Sequence, residues 1–241
     1  MTIRMFIGTS ANGEDAEAEM VYEYSIRKNT SEDVNITWMR QTHDVESVWG
    51  GWNTHRWSTP FSGYRWGIPA ACNFEGRAIY TDPDMINFRD IADLWNTDLK
   101  NKPIAARRGK RFDGHEFCVM VIDCAMIASH LIPLSRMKSI EEHHHRMIHK
   151  FSGNDDLVCD LDPRWNCLDG EDRAVNDMWI LHYTNMATQP WRPAWYTGKH
   201  ETHPRQDMID LWYSMKSEAL NSNYVPNIPN VAFGPYDIIG R

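Results

Sequence analysis

The stretch RAIYTDPDMINFRDIADLW, residues 77–95, decides how this chain folds. An apolar run over 77–81 ends abruptly on Asp82-Pro83-Asp84. Proline has no N–H to give a sheet ladder, and it biases the residue before it to an extended shape. A strand therefore stops at Asp82 or runs along a sheet edge. Positions i and i+2 of an extended chain face the same side, so Asp82 and Asp84 are expected to converge on one point. Two carboxylates that close repel each other unless a cation lies between them. Their oxygens suit a hard divalent ion such as Mg2+ or Mn2+. D-P-D is also a turn-prone sequence, so the surroundings must decide between the two readings.

Working outward, the segment IRMFIGTS reads as a first strand buried on both sides, followed by a glycine-bearing loop. A helix over 15–28 comes next, with Ala18, Val21, Tyr22, Ser25 and Ile26 on one face. Acids open that helix and Arg27 and Lys28 close it, as its dipole favours. VNITWM is a second strand, so the chain opens β-α-β with a right-handed crossover between parallel strands. Asp82 and Asp84 then leave the carboxyl end of the third strand, where open α/β sheets bind their ligands.

Residues 41–60 show no period and read as a long functional loop. FSGYRWGIPAAC reads as helical and limited by Pro69, and Asp90 reads as the N-cap of a short helix. FCVMVID and MWILHYT are further strands. Ser139 and Glu142 have capping-box spacing, ahead of a stripe of Ile140, His144, Met147, Ile148 and Phe151. An amphipathic helix over RQDMIDLWYSMKSEAL buries Met208, Leu211, Trp212 and Met215. The expected organisation is one α/β domain over 1–220 and an irregular tail or linker over 221–241.

Composition narrows the partners. The 241 residues carry a net charge of −8, which disfavours nucleic acid, because phosphate-backbone affinity needs clustered Lys and Arg. The basic cluster ARRGKR, 106–111, reads as a solvated loop. No segment approaches 18 apolar residues, so no membrane span is expected. Five cysteines without C-x-x-C spacing argue against a disulfide framework and a thiolate zinc site, and point to a reducing, cytoplasmic setting. The histidine run EEHHHRMIHK, with His145 and His149 at i, i+4, reads as a solvated helix face with one buried histidine. The tryptophans of VWGGWNTHRW read either as a stacking surface for a sugar or as core.

The motif EGRAIYTDPDMINFRDIADLW resembles the metal-binding region of GT-A glycosyltransferases, in particular the glycogenin and galactosyltransferase-like retaining family (glycosyltransferase family 8-like). Upstream, PFSGYRWGIPAAC is similar to that family's arginine-bearing helix. Downstream, LHYTNMATQPW resembles its H-x-x-G-x-x-K-P-W motif, and DPRWNCLDG the region before it. The resemblance covers roughly residues 3–195 and implies a GT-A (nucleotide-diphospho-sugar transferase) fold, with a mixed, mostly parallel sheet flanked by helices.

It implies a metal-dependent transferase that moves a sugar from a nucleotide-sugar, expected to be a UDP-sugar, to a hydroxyl of a glycan or glycoprotein acceptor with retention. Asp82, Asp84 and His182 would hold Mn2+ (or Mg2+), and the added imidazole favours Mn2+. Gly8, Thr9 and Ser10 would hold base and ribose, with Arg65 and Asp82 near the nucleotide. Asp155 or Asp156 would lie at the reaction centre, or on a surface.

The chain departs from the pattern where the family's glycine and lysine are replaced by Asn185 and Gln189, with one extra residue before Pro190. Arg192 or Lys199 is then the expected substitute for the lysine that meets the departing phosphate. The loss leaves a second reading, a non-catalytic sugar-nucleotide or glycan binder. A haloacid dehalogenase-type phosphohydrolase fits less well: its acids belong on the first strand, and here Ile86 and Asn87 follow the pair.

Overall fold

The chain opens with the expected parallel pair, β1 (Thr2–Gly8) and β2 (Asp33–Met39), joined by α1 (Ala16–Asn29). The computed structural model describes residues 2–54, 57–109, 114–139 and 142–227. The strands that follow are β3 (Arg77–Thr81), β4 (Met85–Asn87), β5 (Ile104–Arg108), β6 (His115–Asp123), β7 (Val158–Asp160), β8 (Cys167–Leu168) and β9 (Ile180–His182). Further helices are α2 (Ile68–Ala71), α3 (Ile91–Trp95), α4 (Cys124–Ile127), α5 (Leu134–Ser139), α6 (Glu142–Ser152) and α7 (Gln206–Asn221). No helix among the described residues is long and apolar enough to cross a membrane.

The main sheet has the order β2-β1-β3-β6-β5-β7, in which β6 alone runs against its neighbours. A smaller sheet, β4-β9-β8, continues from the end of β3. Both faces of β3 are covered, so Ala78 through Thr81 are all buried, which explains a run without alternation. On one face Phe6, Tyr80 and Met120 meet Trp52, Trp57, Trp66 and Phe151 of the loops and α6. On the other, Ile7, Ile79 and Val121 meet Tyr22, Ile26 and Leu94 of α1 and α3. A third cluster clamps α7 onto α1 and the small sheet. At its centre Trp212 lies 3.7 Å from Trp191 in a stacked pair and edge-on to Tyr183.

Several local readings change. Pro69 does not limit its helix but sits in the first turn of α2, where its missing N–H has no helical partner to lose. Ser139 ends α5 and donates its hydroxyl to Arg136 O, instead of opening the next helix. Its capping partner, the Glu142 side chain, and Ile140 lie outside the described residues. His143 is buried beside His144, so the histidine run holds two buried rings; His145 and His149 are exposed as expected. Burial pushes His144 down to about 2, helped by Arg65 and His145, and the neutral ring accepts the Trp66 Nε1–H at 3.0 Å.

The basic cluster is no solvated loop over its described part. Arg107 and Arg108 belong to β5, and buried Arg107 donates to Glu171 and to Asn166 O. Lys110 and Arg111 lie outside the described residues. Within the 41–60 loop Trp52 and Trp57 are core: both pack edge-on against Tyr64, at 5.6 and 5.3 Å, leaving no open face for a sugar.

Candidate metal centre

The break at Pro83 does what its chemistry requires. β3 stops at Thr81, and Asp82 N–H donates sideways to Cys118 O at 3.1 Å. The chain then re-pairs as β4 in the small sheet, where Met85 lies opposite His182 and Tyr183 N–H donates to Asp84 O at 3.0 Å. That register carries His182, almost one hundred residues later, to the acid pair. Its Nε2 is 3.2 Å from Asp84 Oδ1 and 3.9 Å from Asp82 Oδ2.

Each carboxylate has one oxygen anchored and the other turned to the imidazole. Asp82 Oδ1 accepts from Tyr80 Oη and, at 3.2 Å, from Arg65 Nη2. Asp84 Oδ2 accepts from Gln189 Nε2 at 2.9 Å. Asp84 Oδ1 is buried and faces the His182 ring nitrogen 3.2 Å away, which satisfies it when that nitrogen carries a proton.

The histidine is oriented from behind. Its Nδ1 donates to Asn166 Oδ1 at 3.0 Å, and the Asn166 amide donates in turn to Glu116 Oε2 at 3.5 Å. In the neutral ring this fixes the proton on Nδ1 and aims the Nε2 lone pair at the acids, the tautomer that binds metals.

The electrostatics agree. Burial raises the Asp84 carboxyl above its ordinary value, opposed by His182. Burial alone would lower His182, but the Asp84 carboxylate outweighs it and holds the ring well above its usual range. The protonated ring thus supplies positive charge beside the acids, and a bound cation would take the place of that proton. Two carboxylates and an imidazole are donors that suit a divalent ion. Among the described residues the group with ligand atoms mutually within 4.8 Å is Asp82, His182 and Cys118; Asp84 joins it through its 3.2 Å approach to His182.

Beside the centre is a small, partly open hollow lined by Asp15, Phe61, Pro83, Asp84, Met186, Gln189, Trp191 and Trp195 among others. Asp15 accepts from Trp195 Nε1 at 2.9 Å and from Ser10 N at 3.1 Å. Burial pushes it up to about 7 against the pull of those two bonds.

Other expected site residues fall elsewhere. Gly8, Thr9 and Ser10 do not line the cleft. Thr9 donates to Met39 O and Glu19, Ser10 O accepts from Arg40, and the Gly8 α-carbon faces the Phe61 ring so closely that a Cβ would lie 2.9 Å from it. The first-strand loop meets the cleft through Asp15 instead. Arg65 is buried, with Nε on Ser62 O, Nη1 on Phe117 O and Nη2 on Asp82. Each of its three nitrogens thus has a partner within the protein, one of them the Asp82 carboxylate.

Arg192 is exposed and donates to Tyr196 O and Gly198 O, and Lys199 pairs with Glu201 at 2.7 Å; neither lines the cleft. Asp155 and Asp156 are displaced most. They precede β7, whose Val158 is level with Ile104, Ile122 and Ala78, four residues back along β3 from Asp82 and three strands away. Both are exposed, Asp155 paired with Arg108 at 2.6 Å, so they form a solvated edge and not a reaction centre.

Cys118, Asn166 and Asp15 were not legible as site residues. Cys118 arrives through a bulge, since Ala106 pairs with Met120 but Arg107 pairs with Glu116. Asn166 lies in the quoted DPRWNCLDG segment, the one signal that pointed toward it.

This architecture is the GT-A fold of solved glycosyltransferases. The apo glycosyltransferase GlyE of Streptococcus pneumoniae TIGR4 superposes with a TM-score of 0.60 at 17% identity, covering 94% of this chain and 66% of that one. The galactosyltransferase LgtC, in complex with donor and acceptor sugar analogs, superposes at 0.63 with 12% identity over 90% of this chain and 96% of that one. The bifunctional glycosyltransferase WbbM gives 0.59 at 11% identity, with this chain spanning 51% of its length. The chain thus spans just under two thirds of GlyE and about half of WbbM. No protein-family profile and no curated protein sequence matches the chain.

Proposed function

We propose that the protein is a metal-dependent glycosyltransferase that takes its sugar from a nucleotide-sugar, a UDP-sugar by resemblance, and passes it to a hydroxyl of a glycan or other acceptor. The observation that carries this reading is the approach of both carboxylates to one His182 ring nitrogen, Asp84 at 3.2 Å and Asp82 at 3.9 Å, beside a hollow lined by aromatic rings. When bound, Mn2+ or Mg2+ supplies Lewis-acid stabilisation for charge that builds on a departing diphosphate. The chain's own residues do the rest. Asn166 holds the His182 tautomer, and Arg65 and Tyr80 fix the Asp82 rotamer. Gln189 fixes Asp84, while Trp191 and Trp195 shape the cleft and keep water from it. LgtC is described with donor and acceptor sugar analogs bound, which supports the same use of this fold. Retention follows the resemblance, and a same-face mechanism needs no carboxylate base at the acceptor.

One observation favours the binder reading. Gln189 is neutral and bonded to Asp84 and Tyr183 O, and neither Arg192 nor Lys199 replaces the missing lysine. Incubation with UDP-, GDP- and dTDP-sugars with and without Mn2+ separates the two. The transferase reading expects slow Mn2+-dependent release of nucleoside diphosphate, greatest from a UDP-sugar and abolished by chelation. A Mn2+-dependent rise in Tm with no release from any donor contradicts it and leaves a binder.

A further inference from the structure

Cys118 is the one side chain at the centre that the acid–acid–imidazole pattern does not contain. It lies in the stretch where β6 bulges away from β5, and both flanks of it are pinned. Its carbonyl accepts from Asp82 N, and the preceding carbonyl, of Phe117, accepts from Arg65. The residues that fix the metal-facing carboxylate thus also fix the thiol. Its Sγ, a carboxylate oxygen of Asp82 and a ring nitrogen of His182 lie within 4.8 Å of one another. Asp84 Oδ1 lies 3.2 Å from His182 Nε2 on the same ring.

We propose that Cys118 is a direct protein ligand of the metal centre, so that the set brought together is Asp82–His182–Cys118, and that it prefers thiophilic divalent ions to Mg2+. This rests on the reading of Asp82 and His182 as metal ligands, but not on sugar transfer. Oxygen-only sites suit Mg2+ and Ca2+, an imidazole moves the preference toward Mn2+ and later metals, and a thiolate moves it further, to Zn2+, Co2+ and Cd2+. Binding releases the thiol proton, as it does at any cysteine ligand. The mixed set holds a soft ion without closing the site as a four-cysteine site does.

The probe is Co2+ added to the whole chain and followed by absorption. The expected spectrum has visible d–d bands together with a near-ultraviolet sulfur-to-cobalt charge-transfer band. In Cys118→Ser and Cys118→Ala the d–d bands remain and the near-ultraviolet band disappears. Cd2+ affinity falls by at least about tenfold in both variants, no less than loss of an outer-shell partner typically causes, and Mg2+ affinity changes less. Two variants guard against misfolding of either. The four other cysteines stay in place, so loss of the band assigns it to Cys118. Bound Co2+ without the charge-transfer band, or a band that survives in both variants, overturns the proposal and leaves the Asp82–Asp84–His182 reading standing. No binding of Co2+ at all overturns both.

Discussion

Asp84→Ala abolishes Mn2+-dependent donor turnover, with a loss on the order of a thousandfold, because a bound dication contributes several kcal/mol to a departing diphosphate and each tenfold is about 1.4 kcal/mol. The residue is chosen over Asp82 because its carboxylate has the least structural work. One oxygen accepts from Gln189, and the other has no partner except the imidazole 3.2 Å away. Its backbone carbonyl, which joins β4 to the residue after β9, survives the substitution. The substitution strands one Gln189 Nε2–H but lets the His182 ring return to its neutral form, so the variant is expected to fold with a modest change in Tm. Steady-state donor hydrolysis alongside a thermal melt makes the check. Unchanged activity in a folded Asp84→Ala protein contradicts the site.

The second large effect is on stability. Arg65→Met is expected to destabilise the protein by about 3–5 kcal/mol, as removal of one partner of a buried ion pair commonly does. Asp82 is then left buried with only Tyr80 on its anchored oxygen, and Ser62 O and Phe117 O lose their donor. The guanidinium also loses its seat over the Tyr80 ring, at 4.4 Å. Lysine is no remedy, since one ammonium cannot replace a fork that reaches three separated acceptors. Urea denaturation measures the loss, and a cycle with Asp82→Asn apportions it: the double variant recovers part of the stability because the stranded charge is gone. A change below about 1 kcal/mol for Arg65→Met, the range of exposed ion pairs, contradicts the assignment of Arg65 as the brace of Asp82.

The outline of the fold was legible because its signals are local. Strand runs at 2–8 and 77–81 and the helical stripe of α7 depend on neighbours along the chain. What was not legible depends on pairing. β4 is three residues long and exists because β9 lies beside it, and β5 offers only Ile104, Ala105 and Ala106 as its apolar run. The same division runs through the site. Asp82-Pro83-Asp84 announces itself by a proline that breaks a strand. Cys118 has no signature, since it reaches the centre through a register shift between two strands. Asp155 and Asp156 looked like site acids from their order in the chain, but β7 runs along the far edge of the sheet and its entry point lies away from Asp82. Arg65 was expected near the nucleotide, and its buried guanidinium pairs with Asp82.

The central claim is that one cation is held in common by Asp82, Asp84 and His182. Anomalous diffraction from crystals of the protein grown with Mn2+ and UDP locates that ion directly. The account predicts a single strong peak within about 2.0–2.3 Å of Asp82 Oδ2, Asp84 Oδ1 and His182 Nε2, the range of such bonds. A peak bound elsewhere, or saturating Mn2+ with no peak between those three side chains, contradicts it.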